Sequence, residues 1–454
     1  MTGGRAPIGA HTVATRNGAV TQRADGRVRD VHDDRRGMDV HHGLNGSRRV
    51  SVERGDHSRI MAERGRPGYI ERGYAFHGHD YGRRSYYWHG HEYNRFYRGY
   101  YFHGAYLSVY APGVFFAPGF YGWAYNPWYA PVRYSWGWAG NPWYGYYGGY
   151  FAPYPVYAAP ADWLTDYVIS QNLASAYAAQ QEAQLQVPAP AGAGGQPLMT
   201  PEIKQQIADE VRAQIALENA EAQQNTQGQE PDPASSGINR MFSDGRPHVF
   251  VANSSLDVVD ASGNECALSD GDVLKLNRAP AGDGSDANVN VMVSKGGKEC
   301  PATSTVTIAV ADLQEMQNGM RATVDQGMQE LQANQGKGGL PAAPPSALAA
   351  PVQAAFAQAA PPPEANGAAE VNQKLTLADQ VDSDAVHTSP IGALSAPAAV
   401  QPTATINIAV GQSIADVTTA LGQPVTVIDL GARKIYKYKD MKVTFKAGKV
   451  SDVE

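Results

Sequence analysis

The aromatic and basic residues of this chain are gathered into its early part. All 7 Trp lie between Trp88 and Trp163, and 22 of the 25 Tyr lie between Tyr69 and Tyr167. Ten of the 12 His precede residue 104. Residues 1–104 hold 18 Arg, no Lys and 11 Asp plus Glu, a balance of about +7, and the first Lys is Lys204. The 454-residue chain carries −7, so the remainder carries about −14 and the molecule is bipolar. A chain so divided, with 48 Gly, 30 Pro and 18% charged residues, does not read as one large enzyme domain. It reads as small modules on neutral low-complexity linkers. No run reaches ~18 consecutive apolar residues, so no transmembrane helix is expected.

The expected fold class is multi-domain α+β, with small β modules, separate helices and long disordered linkers. Residues 1–68, polar and Arg/Gly-rich, show only short alternations such as Arg49–Glu53, broken at Gly55-Asp56 and Pro67-Gly68. They are expected to be disordered or weakly β. Residues 69–160 form the aromatic block. It contains a 15-residue repeat, YGWAYNPWY at 121–129 and WGWAGNPWY at 136–144, each with a turn-forming Asn-Pro between two Trp. Frequent Pro and Gly favour aromatic-lined turns, extended pieces and short strands there.

A helix is expected over 161–186, capped by Asp162, with Leu164, Tyr167, Val168, Leu173, Ala176 and Tyr177 on one face. A linker covers 187–199. A second helix over 200–224 has Thr200 at its cap, Pro201 at its first position and a narrow stripe of Ile203, Ile207, Val211 and Ile215. Residues 225–245 again read as linker. Alternating apolar residues over 246–310 predict five or six short strands with tight turns, in a pattern that resembles bacterial SH3-like barrels. Cys266 and Cys300, 34 residues apart, both fall inside that module. They are either a structural disulfide of an exported protein, worth roughly 3–4 kcal/mol, or two independent buried thiols. A third helix over 311–335 opens on the capping box Asp312–Glu315 and carries Leu313, Met316, Met320, Val324, Met328 and Leu331. Gly319 and Gly327 share one face of it and permit close contact. Residues 336–404 are Ala/Pro-rich and predict a tether reaching on the order of 100 Å when extended.

Residues 405–454 predict a one-helix module with an antiparallel sheet. Ile414, Val417 and Leu421 face inward, Gly422 and Pro424 end the helix, and strands follow over 425–429, 434–438, 441–446 and 449–453. Gly411, Ser413, Asp416-Val417, Leu421-Gly422, Pro424, Tyr436, Tyr438, Phe445 and Gly448-Lys449-Val450 form a pattern that resembles the SmpA/OmlA, or BamE-like, envelope domain. The resemblance covers about 50 residues. It implies a non-catalytic module acting by protein contact in the cell envelope. No lipid-accepting Cys lies near the start of the chain, a departure from that family.

Several clusters are candidates for chemistry. His77, His79, His89 and His91 form two His-Gly-His pairs that place imidazoles on one side of a strand, although no Cys lies near and the spacing matches no standard metal site. No metal and no cofactor is expected. Arg83, Arg84, Arg95 and Arg98 interleave with tyrosines, a mix that suits single-stranded nucleic acid, an anionic polysaccharide or a phospholipid surface. Without an RNP motif the expectation is against nucleic acid. Trp123, Trp128, Tyr129, Trp136, Trp138, Trp143 and Tyr144 of the repeat either stack on sugar rings, sit at a membrane interface or pack on one another. No nucleophile elbow, HExxH, Walker loop or dinucleotide fingerprint is present, so no enzyme is expected.

The expectation is therefore a non-enzymatic, multi-module envelope scaffold with a protein partner, in the periplasm or at the outer membrane. The alternative is an adhesin that holds cell-wall polysaccharide through its Trp/Tyr repeat. The first twenty residues lack an apolar stretch of signal-peptide length, which favours a true start upstream of Met1 over a cytoplasmic location.

Overall fold

The computed structural model describes residues 6–183, 189–190, 197–280, 284–388, 411–421, 424, 426–431, 433–438 and 441–453. They form a mixed α/β protein with separate antiparallel sheets of ten, two, six and four strands. None of the described helices is long and apolar enough to cross a membrane.

The basic N-terminal segment is an antiparallel meander in sequence order. Its strands are β1 (His11–Thr15), β2 (Gly18–Gln22), β3 (Val28–Asp33), β4 (Met38–His42), β5 (Arg48–Glu53), β6 (Arg59–Glu63), β7 (Gly68–Phe76), β8 (His79–Trp88), β9 (His91–Phe102) and β10 (Ala105–Ala111). One face carries a ladder of direct cross-strand partners, Val20, Val31, Val40, Val50 and Ala62. A second row runs Met38, Val52, Ile60 and Ile70. This differs from the disorder or weak β structure expected for 1–68. Each five- or six-residue strand supplies only two or three apolar side chains. A core appears only when strands stack, and no local window along the sequence shows it. The last three hairpins turn on His77-Gly78, His89-Gly90 and His103-Gly104, with both residues of each pair at positive φ. Two-residue turns of that handedness match the twist of a hairpin.

The chain then passes through β11 (Val114–Phe115) into two short helices, α1 (Pro118–Tyr125) and α2 (Pro142–Tyr146), one per repeat copy. Long α3 (Pro160–Glu182) and α4 (Pro201–Thr226) follow. The α4 start is as the sequence predicts, with the Ile203 N–H donating to Thr200 Oγ1 at 3.5 Å. Asp162 is not the α3 cap; it lies inside the first turn and accepts from the Ala159 N–H at 3.2 Å. The 187–199 linker falls largely outside the described residues. Part of the 225–245 linker is helical, as α5 (Ile238–Ser243), because Ile238 and Met241 reach a core.

The six-stranded sheet comprises β12 (His248–Val251), β13 (Leu256–Asp260), β14 (Glu265–Leu268), β15 (Val273–Leu276), β16 (Asp286–Val293) and β17 (Thr305–Ala309), in the order β12-β15-β16-β17-β13-β14. A disulfide joins Cys266 to Cys300. Helix α6 (Val310–Asn334) begins two residues before Asp312, so the expected capping box lies within its first turn. A methyl group added at Gly327 would stand 2.7 Å from Leu164 and 2.8 Å from Tyr167, so that glycine sets how closely α6 approaches α3.

The expected tether is packed over much of its length. β18 (Val352–Gln353) pairs with β11, and α7 (Ala355–Ala359) places Phe356 in the aromatic core. Helix α8 (Gly367–Thr388) lays Val371, Ala378, Val381 and Ala385 on the valine face of the meander. The Ala/Pro-rich composition hides this stripe, which repeats at three, four and seven residues. Residues 389–404 of that tether lie outside the described residues.

The C-terminal module is α9 (Ile414–Leu421) followed by β19 (Thr426–Asp429), β20 (Arg433–Lys437), β21 (Lys442–Lys446) and β22 (Lys449–Val453). Ser413 and Asp416 cap α9 reciprocally: the Asp416 N–H donates to Ser413 Oγ and the Ser413 N–H to Asp416 Oδ2. Val417, Val443, Phe445 and Val450 form its core. Gly422 and the turn at 439–440 lie outside the described residues.

Candidate functional site

The Trp/Tyr repeat lies in the largest hydrophobic cluster among the described residues. Trp128, Trp136 and Trp143 are buried, and Trp123, Trp138 and Tyr144 pack partly buried against them. Trp136 stacks on Trp163 at 4.9 Å and on Trp138 at 5.2 Å. The matching Trp pairs of the two copies, Trp123–Trp128 and Trp138–Trp143, lie 6.2 and 5.0 Å apart. Of the seven residues singled out as sugar-stacking candidates, only Tyr129 is exposed. Beneath them runs a buried polar chain. The Trp136 indole donates to the Tyr157 hydroxyl at 2.6 Å, which donates to Asp166 at 2.8 Å; Asp166 pairs with Lys204 at 2.5 Å. The Lys204 ammonium also lies 3.5 Å from the centre of the Tyr154 ring.

The histidine pairs belong to hairpin ends. His77 and His89 occupy turn positions and meet Glu230 at 3.2 Å and Glu182 at 2.8 Å. Among the described residues, no group of three or more His, Cys, Asp or Glu is arranged to hold a metal ion.

The bipolar charge of the sequence resolves into internal pairing. Arg23 bridges Asp257 and Glu265, each at 2.6 Å, and Arg66 binds both oxygens of Asp270 at 2.6 and 2.5 Å. Arg48 holds Asp379 and Asp382 of α8, and Arg54 holds Glu364 and Glu370. Arg98 pairs with Glu221 at 2.6 Å, and the same carboxylate takes Arg321 at 2.9 Å. Burial alone would push His41 toward the neutral form. Asp257 and Asp30 outweigh it, so the imidazole titrates above its ordinary value.

The face of the meander opposite the valine ladder forms the floor of a cavity of about 360 Å³. Its roof comes from α3, α6 and the residues between β12 and β13. The floor carries Arg49, Arg66, Arg84 and Arg95, together with Tyr69, Tyr86 and Tyr93. Register fixes this grouping. Tyr69, Tyr86 and Tyr93 are cross-strand partners in one row, and Glu71, Arg84 and Arg95 in the next. The Tyr86 and Tyr93 rings are parallel within 3° at 5.0 Å. Arg84 binds Glu71 at 3.0 Å and also Glu315. The Arg95 side chain makes no ion pair and no hydrogen bond among the described residues; its guanidinium lies 5.1 Å from the Tyr86 ring and 5.5 Å from Tyr93. Of the four arginines picked out from the sequence, Arg83, Arg84 and Arg98 are buried with protein acceptors; Arg84 and Arg95 both line the cavity, and of these two only Arg95 is without a carboxylate partner.

Sequence reasoning did not find the roof. Asn172 and Asn253 reach this cavity from α3 and from the segment after β12. The one local sign was a polar interruption, Ser170-Gln171-Asn172, in an otherwise apolar helix face. Comparison with protein-family models, curated proteins and solved structures gives no match for this chain.

Proposed function

We propose that this chain is an exported protein of the cell envelope that binds and scaffolds, and does not catalyse. The observation that carries the reading is the Cys266–Cys300 disulfide. Such a crosslink persists in an oxidising compartment and is rare where thiols are kept reduced. In this reading the six-stranded sheet is an SH3-like module stapled by that bond. The C-terminal module is BamE-like and meets a protein partner; β19 is the edge strand it offers, since the outer side of β22 is already paired with the backbone of residues 411–413. The aromatic repeat serves cohesion instead of ligand capture, since its tryptophans are already packed on one another.

The test is fractionation of the source cells combined with thiol blocking before lysis. The reading expects the chain in the envelope fraction with neither cysteine alkylated until a reductant is added. Recovery from the cytosolic fraction with both thiols open to alkylation would overturn it.

A further inference from the structure

We propose that the cavity over β5–β9 binds a hydroxylated small molecule carrying one oxyanion, in the manner of an acidic sugar, with the anionic group on Arg95. The cavity is lined by charge that is already spent except at one place. Arg49 donates to the Ser255 carbonyl at 2.6 Å, Arg66 is held by Glu63 and Asp270, and Arg84 by Glu71 and Glu315. Arg95 has only tyrosine faces. Arg95 is half-buried, and its guanidinium opens into the cavity with no protein acceptor, a place where an anion can bind; its planar fork matches a carboxylate or phosphate edge.

The roof makes a second, independent demand. Gln171, Asn172, Ser175, Asn253, Ser254 and Gln326 all line the cavity, and none has a side-chain hydrogen bond among the described residues. Asn172 is only 7% exposed. Gln171, Ser175, Asn253 and Ser254 are half-buried and Gln326 is exposed, so together with Asn172 they turn unpartnered amides and hydroxyls toward the opening, where a polar occupant can pair with them. Tyr93, exposed at the rim and parallel to Tyr86, adds a flat apolar surface for a sugar ring. Donors and acceptors on one wall, rings and a single free cation on the other, and a volume of about 360 Å³ fit one monosaccharide-sized anion better than a polymer or an apolar ligand.

The test is isothermal titration of the full chain with galacturonate, with glucose 6-phosphate and with neutral galactose. Binding of either anion, with galactose silent, is expected, and the anion that binds identifies the source of the oxyanion. Arg95→Gln should weaken it by about tenfold or more. Asn253→Ala, on the opposite wall, should weaken it also, and gives a readout if the Arg95 variant does not fold. Absence of heat with both anions, galactose binding as tightly as galacturonate, or affinity unchanged in the folded variants would each overturn the proposal.

Discussion

Arg84 on β8 and Arg95 on β9 stand directly opposite each other across the strand pair, yet both nearby carboxylates, Glu71 and Glu315, go to Arg84. Like charges in that position repel. The pairing is tolerated because Glu71 and Glu315 neutralise Arg84 while the Tyr86 and Tyr93 rings flank Arg95. Glu315→Gln is therefore expected to lower the unfolding midpoint. Adding Arg95→Met should recover part of the loss, because it removes the repelling charge. A thermal double-mutant cycle reads this, and a cycle with no coupling would contradict it.

Asp166 and Lys204 form a buried pair beneath the aromatic core. Removing one partner strands the other, so Asp166→Asn is expected to cost about 3–5 kcal/mol. Lys204→Met in the same chain should return much of that. Urea unfolding of the two single variants and the double checks it; a double variant as unstable as the sum of the singles would count against the pair.

Trp143→Ala opens a hole in a core where its ring lies 5.0 Å from Trp138. The expected loss is about 3–5 kcal/mol. Near-UV circular dichroism should lose its Trp signal structure at the same time. A variant of unchanged stability that had lost only polysaccharide binding would instead favour a ligand role for the repeat.

Stability is expected to peak in mildly acidic solution. Burial opposes charge on His41 and His248, but facing carboxylates outweigh it and raise both. Their contribution is complete below the unfolded histidine value and fades as pH rises through the raised one. Burial raises Asp325 and Asp312 to about 6 and Glu218 well above its usual value, and these contributions also fade as pH rises. On the other side, Asp257, Asp30 and Glu221 are depressed: burial would raise them, but His41 and arginine partners outweigh it. Their stabilisation is present above the unfolded carboxylate values and is lost as pH falls. Melting temperatures across the range should therefore be highest near pH ~5. Glu218→Gln should flatten the alkaline side, and a midpoint that rises steadily from pH 5 to 8 would contradict the assignment.

What the sequence made legible follows from how local each signal is. The α4 cap at Thr200, the α6 stripe from Leu313 to Leu331 and the strands near 426–453 each sit within one window, and the structure places them within a few residues of expectation. The N-terminal meander was missed because Val20, Val31, Val40 and Val50 are about ten residues apart and meet only across strands. Helix α8 was missed because its stripe needs that valine face to be recognised as half of a core. The cavity was half visible. Arg84, Arg95 and the tyrosines stood out, whereas Asn172 and Asn253 gain meaning only when α3 and the β12–β13 segment fold over the sheet.

The account rests on a basic meander closed by acidic partners from later in the chain. Hydrogen exchange on the full-length protein tests this most directly. The backbone amides of the valine rows in β2–β6 should be among the slowest to exchange, together with those of α8 that pack on them. Exchange throughout residues 18–63 at the rate of an unstructured chain would contradict it.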